Sequence, residues 1–300
     1  MWNEITGAVG LGLIWTLMTV GVYISYRVLD VADLSVEGSI TLGAAIAAVC
    51  ITKGVPPLPA LLVSLIGGMA AGLCTGALHT VLKIPALLSG ILTMIALWSV
   101  NLRIMGKANV SLLKRETVFS TVADWLHLGK NLSVILVALA FVIAAFALLY
   151  WFFGTEIGCA IRATGDNARM ARAQGIHTER MTRLGLAVGN GLVALSGGLI
   201  AQSQMFADIQ MGTGSIVIGL ASLIIGEVLF GRTTFFKSLI SVVCGAVTYR
   251  LIIALVLKLG MPANDLKLFT AITVAFALSL PTVQKWVRSK KAGTRRTQSC

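Results

Sequence analysis

The sequence predicts an all-α, polytopic membrane protein. Three observations predict it: a composition that water would not fold, a series of apolar runs long enough to cross a bilayer, and basic residues gathered between those runs. Hydrophobic residues make up 57% of the 300-residue chain and charged residues only 12%, and the mean hydropathy is +0.89. A soluble domain carries about a quarter charged residues. Folding in water would leave large apolar areas exposed, so the bilayer is the solvent that fits this composition. The formal charge of +12 would suggest nucleic acid in a soluble chain. Here the basic residues lie in loops between apolar spans, as the positive-inside rule requires, and no nucleic-acid partner is expected.

A bilayer-crossing helix needs about 20 mostly apolar residues. About nine transmembrane helices are expected, over residues 5–27, 34–52, 57–80, 84–104, 131–153, 184–206, 212–230, 235–257 and 265–285. The first follows Met1-Trp2-Asn3-Glu4, which has no basic stretch, and reads as a retained span. The second is short and begins among Asp30, Asp33 and Glu37, so a broken or re-entrant helix is expected, with these acids favouring its N-terminus. Pro56, Pro57, Pro85, Pro262 and Pro281 mark span entrances or exits. Val118, Val122, Trp125 and Leu126 recur at helical spacing and predict an interfacial helix before the fifth span.

Lys and Arg set the orientation. Placing the 155–183 loop and the C-terminal tail inside gives about 15 basic residues inside against 8 outside, which favours an external N-terminus and a cytoplasmic tail. Residues 1–285 then form a single transmembrane domain, with the 155–183 loop inside it, and 286–300 form a basic cytoplasmic tail. Gly38–Ala45 resembles Gly214–Ala221, and Pro85-Ala86 lines up with Pro262-Ala263 at nearly the same offset. In this topology the two copies are inverted, the fifth span linking them, which is an architecture of many transporters. Chance recurrence of Gly, Ala, Ser and Ile is the competing account.

The 155–183 segment is polar and basic inside an otherwise apolar chain. It reads as two short helices. Ile161, Ala168, Ala171 and Ile176 form a weak apolar stripe among arginines, Gly175 breaks the first helix, and Thr178 can cap the next. The stripe would fit a groove on a soluble partner, while Arg162, Arg169 and Arg172 would steer toward acidic groups. A plain positive-inside loop held by anionic headgroups is the alternative, but nearly thirty ordered residues exceed what such a loop needs. Arg250 lies within the eighth span, where an arginine lines a cavity, pairs structurally or snorkels to the interface. Glu227 sits near the inner end of its span; it either pairs with a coupling-loop arginine or is an ordinary interfacial ion pair. Arg250 and Glu227 are the gate or pathway candidates.

An enzyme is not expected. No G-x-x-x-x-G-K-[ST] loop is present, so ATP is not hydrolysed by this chain. His79, His127 and His177 are far apart and fit no zinc motif, and the five cysteines lack metal spacing. No metal or cofactor is therefore expected in this chain.

Arg162-Ala-Thr-Gly-Asp-Asn167, then Met170-Ala-Arg-Ala-Gln-Gly-Ile176, then Gly197-Gly-Leu-Ile-Ala-Gln202 resemble the permease family of bacterial branched-chain amino-acid ABC importers. Asp33-Leu-Ser-Val-Glu-Gly-Ser-Ile-Thr-Leu-Gly-Ala44, Asn109-Val-Ser-Leu-Leu113 and Ile225-Gly-Glu-Val-Leu-Phe-Gly-Arg232 resemble, more narrowly, a subgroup paired with lipoprotein binding proteins, some for aromatic amino acids. The resemblance covers nearly the whole chain and rests on the order of the motifs. It implies the transmembrane permease of an ABC importer in the bacterial inner membrane, moving a small solute such as an amino acid. Its implied partners are an extracytoplasmic binding protein, a second permease subunit in a homodimer or heterodimer, and an ATP-binding subunit that carries the ATP and Mg. Arg162, Arg169, Arg172, Gly175 and Ile176 would form the coupling surface. The alternative function is an ATP-independent secondary transporter or channel. That would need acidic or ion-coordinating groups near the midplane, where the sequence suggests only Arg250.

Overall fold

A computed structural model describes residues 2–127, 129–231 and 234–258, with positions 268, 271, 272 and 275 beyond them. Apart from those positions, the expected ninth span and the basic tail lie outside the described residues, as do Arg232, Pro262 and Pro281. The elements are α1 (Trp2–Tyr23) continued by a π-helical turn (Ile24–Val28), α2 (Val36–Thr52), α3 (Pro57–Thr80), α4 (Ala86–Met105), β1 (Asn109–Ser111), α5 (Val118–Leu126), α6 (Lys130–Gly154), α7 (Glu156–Asp166), α8 (Ala168–Ala173), α9 (Thr178–Gln204), β2 (Phe206–Asp208), α10 (Ser215–Phe230) and α11 (Phe235–Lys258). Among the described residues, six helices are long and apolar enough to cross a membrane, namely α1, α3, α4, α6, α9 and α11, and α2 and α10 are shorter apolar helices. These eight match the first eight expected spans.

Polar contacts label the two ends of the bundle. Glu4 and Lys258 meet at 4.0 Å at one end, and Thr6 meets Asn131 there at 3.4 Å. At the other end Arg27 pairs with Glu227, and Lys83 pairs with Glu179. The helix directions follow. α1 and α3 run toward the Arg27 end, whereas α9 and α11 run away from it. α3 packs against α9 as α11 packs against α1, and α2 lies on α3 as α10 lies on α11. These are two inverted groups joined by α6, the arrangement expected from the internal repeat.

α9 is the central helix; its most apolar 18-residue window is 89% buried, against 39% for α3 and α11. Its buried polar side chains tie other elements to it, as interhelical hydrogen bonds do in a medium without water. Ser196 Oγ donates to the Ile14 carbonyl of α1 at 2.9 Å. Gln202 Oε1 accepts from the Val118 amide at the start of α5 at 2.9 Å. α2 lies against α9 nearly backbone to backbone: a Cβ on Gly197 would stand 1.9 Å from the Ile40 carbonyl oxygen, and one on Gly43 equally close to that of Ala194.

Between α1 and α2 the chain leaves helical geometry and re-enters the bundle. Asp33 and Ser35 are buried. Asp33 Oδ1 accepts from the Ser35 amide at 2.9 Å, and Asn190 Nδ2 donates to Asp33 Oδ2 at 2.7 Å. Asn190 lies twelve residues along α9, roughly 18 Å from its start, so this irregular segment sits at membrane depth. Such backbone is tolerated there only when buried in protein. α2 itself runs unbroken over Val36–Thr52; the irregularity expected of the short second span lies in the buried segment that precedes it.

At the Glu4 end, β1 pairs antiparallel with β2, Val110 opposite Ala207. α5 forms as expected, with Thr117 and Ser120 in a reciprocal capping box. Its Val118 and Phe119 are buried in the core, while Trp125 is 80% exposed.

Candidate functional site

The expected coupling segment forms a compact, ordered surface at the Arg27 end. Thr155 caps α7, its hydroxyl accepting from the Gly158 amide at 3.3 Å. Asn167 both ends α7 and caps α8, its Oδ1 accepting from the amides of Arg169 at 3.1 Å and Met170 at 3.0 Å. Gly175 has φ +82°, a left-handed conformation that glycine adopts without steric cost. The Ile176 amide then donates to the Ala171 carbonyl at 3.1 Å, closing the second helix. The sequence predicts one break, at Gly175; the structure adds an earlier one at Asn167, a capping residue type directly before a helical run. Thr178 is the first residue of α9 and makes no cap; His177 holds that position.

The stripe and the arginines do not all face outward. Ile161 and Ala171 are buried, packed under the surface, and Ile176 is half-buried. Arg162 turns back into the chain. Its Nη2 donates to the Phe153 carbonyl at 3.0 Å, and its guanidinium lies 5.9 Å from the centre of the Phe235 ring. Arg169, Met170 and Arg172 are exposed, Met170 at 62%. They form an outward patch of two cations around one flexible apolar side chain.

Underneath, α7 bears directly on the bundle. A Cβ on Gly165 would meet the Val28 carbonyl oxygen at 1.9 Å, so α7 abuts the end of α1. Glu227 is paired, but with Arg27 of α1 and not with a coupling-loop arginine. Arg27 Nε donates to Oε1 at 2.7 Å and Nη2 to Oε2 at 2.5 Å. The bidentate pair joins the inner ends of α1 and α10. It also relieves the unfavourable position of Glu227 near a helix C-terminus. Arg27, Arg162, Tyr23, Asp166 and Phe235 line one polar cavity of about 400 Å³ behind the α7–α8 surface.

Arg250, the other pathway candidate, stacks on Trp15, its guanidinium carbon 4.0 Å from the ring centre. It therefore fills the contact between α1 and α11 as a cation–π partner.

Glu37 reaches a different target from the one expected. Its Oε1 accepts from the Gly214 amide at 3.0 Å, and the Ile216 amide also points at the carboxylate. It thus serves the N-terminus of α10 as well as lying in the first turn of α2. The starts of the two short helices converge on this one side chain. Asp33 and Glu37 are thus acidic groups inside the bundle, in addition to Arg250, which corrects the expectation of a single interior charge. Beside Glu37 a cavity of about 370 Å³ opens between α2, α4 and residues 209–213. Asn101, buried on α4, donates from Nδ2 to the Gly38 carbonyl at 3.2 Å, while its Oδ1 has no partner. Nothing in the pattern of α4 singled out Asn101; a lone amide in an apolar span was its only mark.

Comparison with known proteins agrees with this architecture. Residues 5–278 match the family model described as branched-chain amino acid transport system / permease component. A tyrosine transport system permease protein of Clostridioides difficile is 44% identical over 262 residues, 87% of this chain and 86% of that protein. An uncharacterized protein of Rickettsia prowazekii is 33% identical over 281 residues, covering 92% of this chain and 97% of that one. In fold, the chain is similar to a metal-chelate type ABC transporter solved in an inward-facing conformation, with TM-score 0.52 and 14% identity over 94% of this chain and 85% of that one. The chain belongs to the branched-chain amino-acid permease family: it is a multi-pass membrane permease subunit of an ABC transporter, and not itself an enzyme.

Proposed function

We propose that this permease imports an amino acid of the tyrosine type, delivered by an extracytoplasmic binding protein and driven by an ATP-binding subunit docked on α7 and α8. The observation that carries the reading is the α7–α8 surface. Arg169, Met170 and Arg172 are left uncovered on it, while its inner side bears on α1 through Gly165 and on α6 and α11 through Arg162. A partner gripping the outer side would move the inner ends of three helices together, a rigid-body transition of the kind that alternates access. The substrate class rests on the relative from Clostridioides difficile, named as a tyrosine permease. Two copies of the chain, each with its ATPase, enclose the pathway. The N-terminus lies outside and α7 and α8 in the cytoplasm.

The test is uptake in vesicles holding the permease and its ATPase, with ATP enclosed and binding protein outside. Labelled tyrosine or a related aromatic amino acid is expected to accumulate only when binding protein is present. Uptake of a sugar or nucleoside in preference to any amino acid would overturn the substrate assignment.

A further inference from the structure

The cavity beside Glu37 has a chemistry of its own. Measured along α10, Gly214 lies thirteen residues from Glu227, roughly 20 Å at helical rise. The cavity is therefore well inside a hydrocarbon layer of about 30 Å. It opens on the exposed side of α4, where Trp98 is 46% exposed. A carboxylate opening toward lipid at that depth would be costly, so protein or water, and not acyl chains, is expected to cover this side of α4.

The groups presented to the cavity are mostly acceptors. Chief among them is the Glu37 carboxylate, held by the amides of Gly214 and Ile216 at the start of α10. The hydroxyls of Ser99 and Thr213 join it, and Met94 and Trp98 supply an apolar wall. A carboxylate disfavours a second anion beside it and favours a cation. That carboxylate and the apolar wall together suit a cation with N–H donors attached to an apolar body.

We infer that this cavity is a transit site that receives the ammonium group of the transported amino acid, with Glu37 as its acceptor and Met94 and Trp98 against the side chain. The inference rests on the amino-acid reading above and adds to it the end of the solute that the permease recognises. The Asp33–Ser35–Asn190 cluster, by contrast, is satisfied by its own hydrogen bonds.

The test uses the full-length permease in lipid nanodiscs, with its five native cysteines replaced and Ser99→Cys as a reporter. The rate of labelling by a small thiol reagent is measured with phenylalanine, phenethylamine or hydrocinnamate present. Phenylalanine and phenethylamine, which carry the ammonium, are expected to protect. Hydrocinnamate, which carries only the carboxylate, should need at least about tenfold more for equal protection, the discrimination that charge-assisted hydrogen bonds supply. Glu37→Gln should raise the half-protecting concentration of phenethylamine about tenfold or more, and that of hydrocinnamate not at all. Equal protection by all three compounds, protection by hydrocinnamate alone, or no protection would overturn the inference. If Glu37→Gln prevents insertion, the three compounds compared on Ser99→Cys alone decide it. Protection by phenethylamine without amino-acid uptake in vesicles would keep the ammonium site and reject the substrate reading. Uptake without ammonium-selective protection would do the reverse.

Discussion

Gly197→Val is expected to leave little or no correctly folded permease. At this position α2 and α9 touch through their backbones, and the first added carbon would overlap the Ile40 carbonyl oxygen at 1.9 Å. The neighbour is main chain on a helix whose inward positions are fully buried, so no side chain can swing aside. Overpacking a filled core costs about 1–3 kcal/mol when side chains can shift, and more when backbones must separate. Parting the helices would also pull Asn190 from Asp33 and Ser196 from Ile14. In detergent extracts, size-exclusion chromatography of a fluorescent fusion should lose its monodisperse peak. Gly7→Val is the control: nothing lies within 4 Å of the position where its Cβ would stand, and its profile should match the parent. A monodisperse Gly197→Val protein of parental thermal stability would mean that α2 is not seated as described.

Replacing both Arg169 and Arg172 with glutamine is expected to uncouple transport while sparing the fold. Neither guanidinium supports the bundle. Arg172 Nε donates only to the Ala168 carbonyl of its own helix, at 3.1 Å, and Arg169 is exposed. Topology keeps Arg180 and Arg183 at the same end. Desolvated charge contacts at a docking surface contribute about 1–3 kcal/mol each. Association with the ATP-binding subunit should therefore fall at least about tenfold, and uptake should fall with it. Co-purification and vesicle uptake measured on the same preparations check this. Full association together with full uptake would return the surface to a lipid-facing role.

The sequence carries the fold through signals that act locally. Apolar length set the spans, and the short, acid-led second run announced the break before α2. The match of Gly38–Ala45 to Gly214–Ala221 falls on the starts of the two short helices, where the inverted groups meet. The site was legible only where a residue acts on its own neighbours. Gly175 needs a left-handed turn whatever surrounds it, and Arg169 and Arg172 share a face by spacing alone. Pairings across the chain were not legible. Glu227 finds Arg27 from 200 residues away, and Glu37 serves a helix 177 residues later. Arg162 resembles its neighbouring arginines in sequence, yet it points inward because α7 lays that face over Phe153 and Phe235. Asp33 reads as a helix-capping acid, and its burial depends on Asn190 of a helix in the other half of the chain.

In the proposed function this chain is a conduit moved by ATP spent in a partner. The acids inside the bundle, buried Asp33 and half-buried Glu37, are the kind of groups on which a gradient-driven carrier would depend, so the source of energy separates an ABC permease from such a carrier. The deciding measurement is amino-acid uptake by vesicles that contain the permease with or without its ATP-binding subunit, under enclosed ATP or under an imposed proton or sodium gradient. Uptake is expected only with the ATP-binding subunit, ATP and binding protein together, and none from either gradient. Gradient-driven accumulation by the permease alone would contradict it.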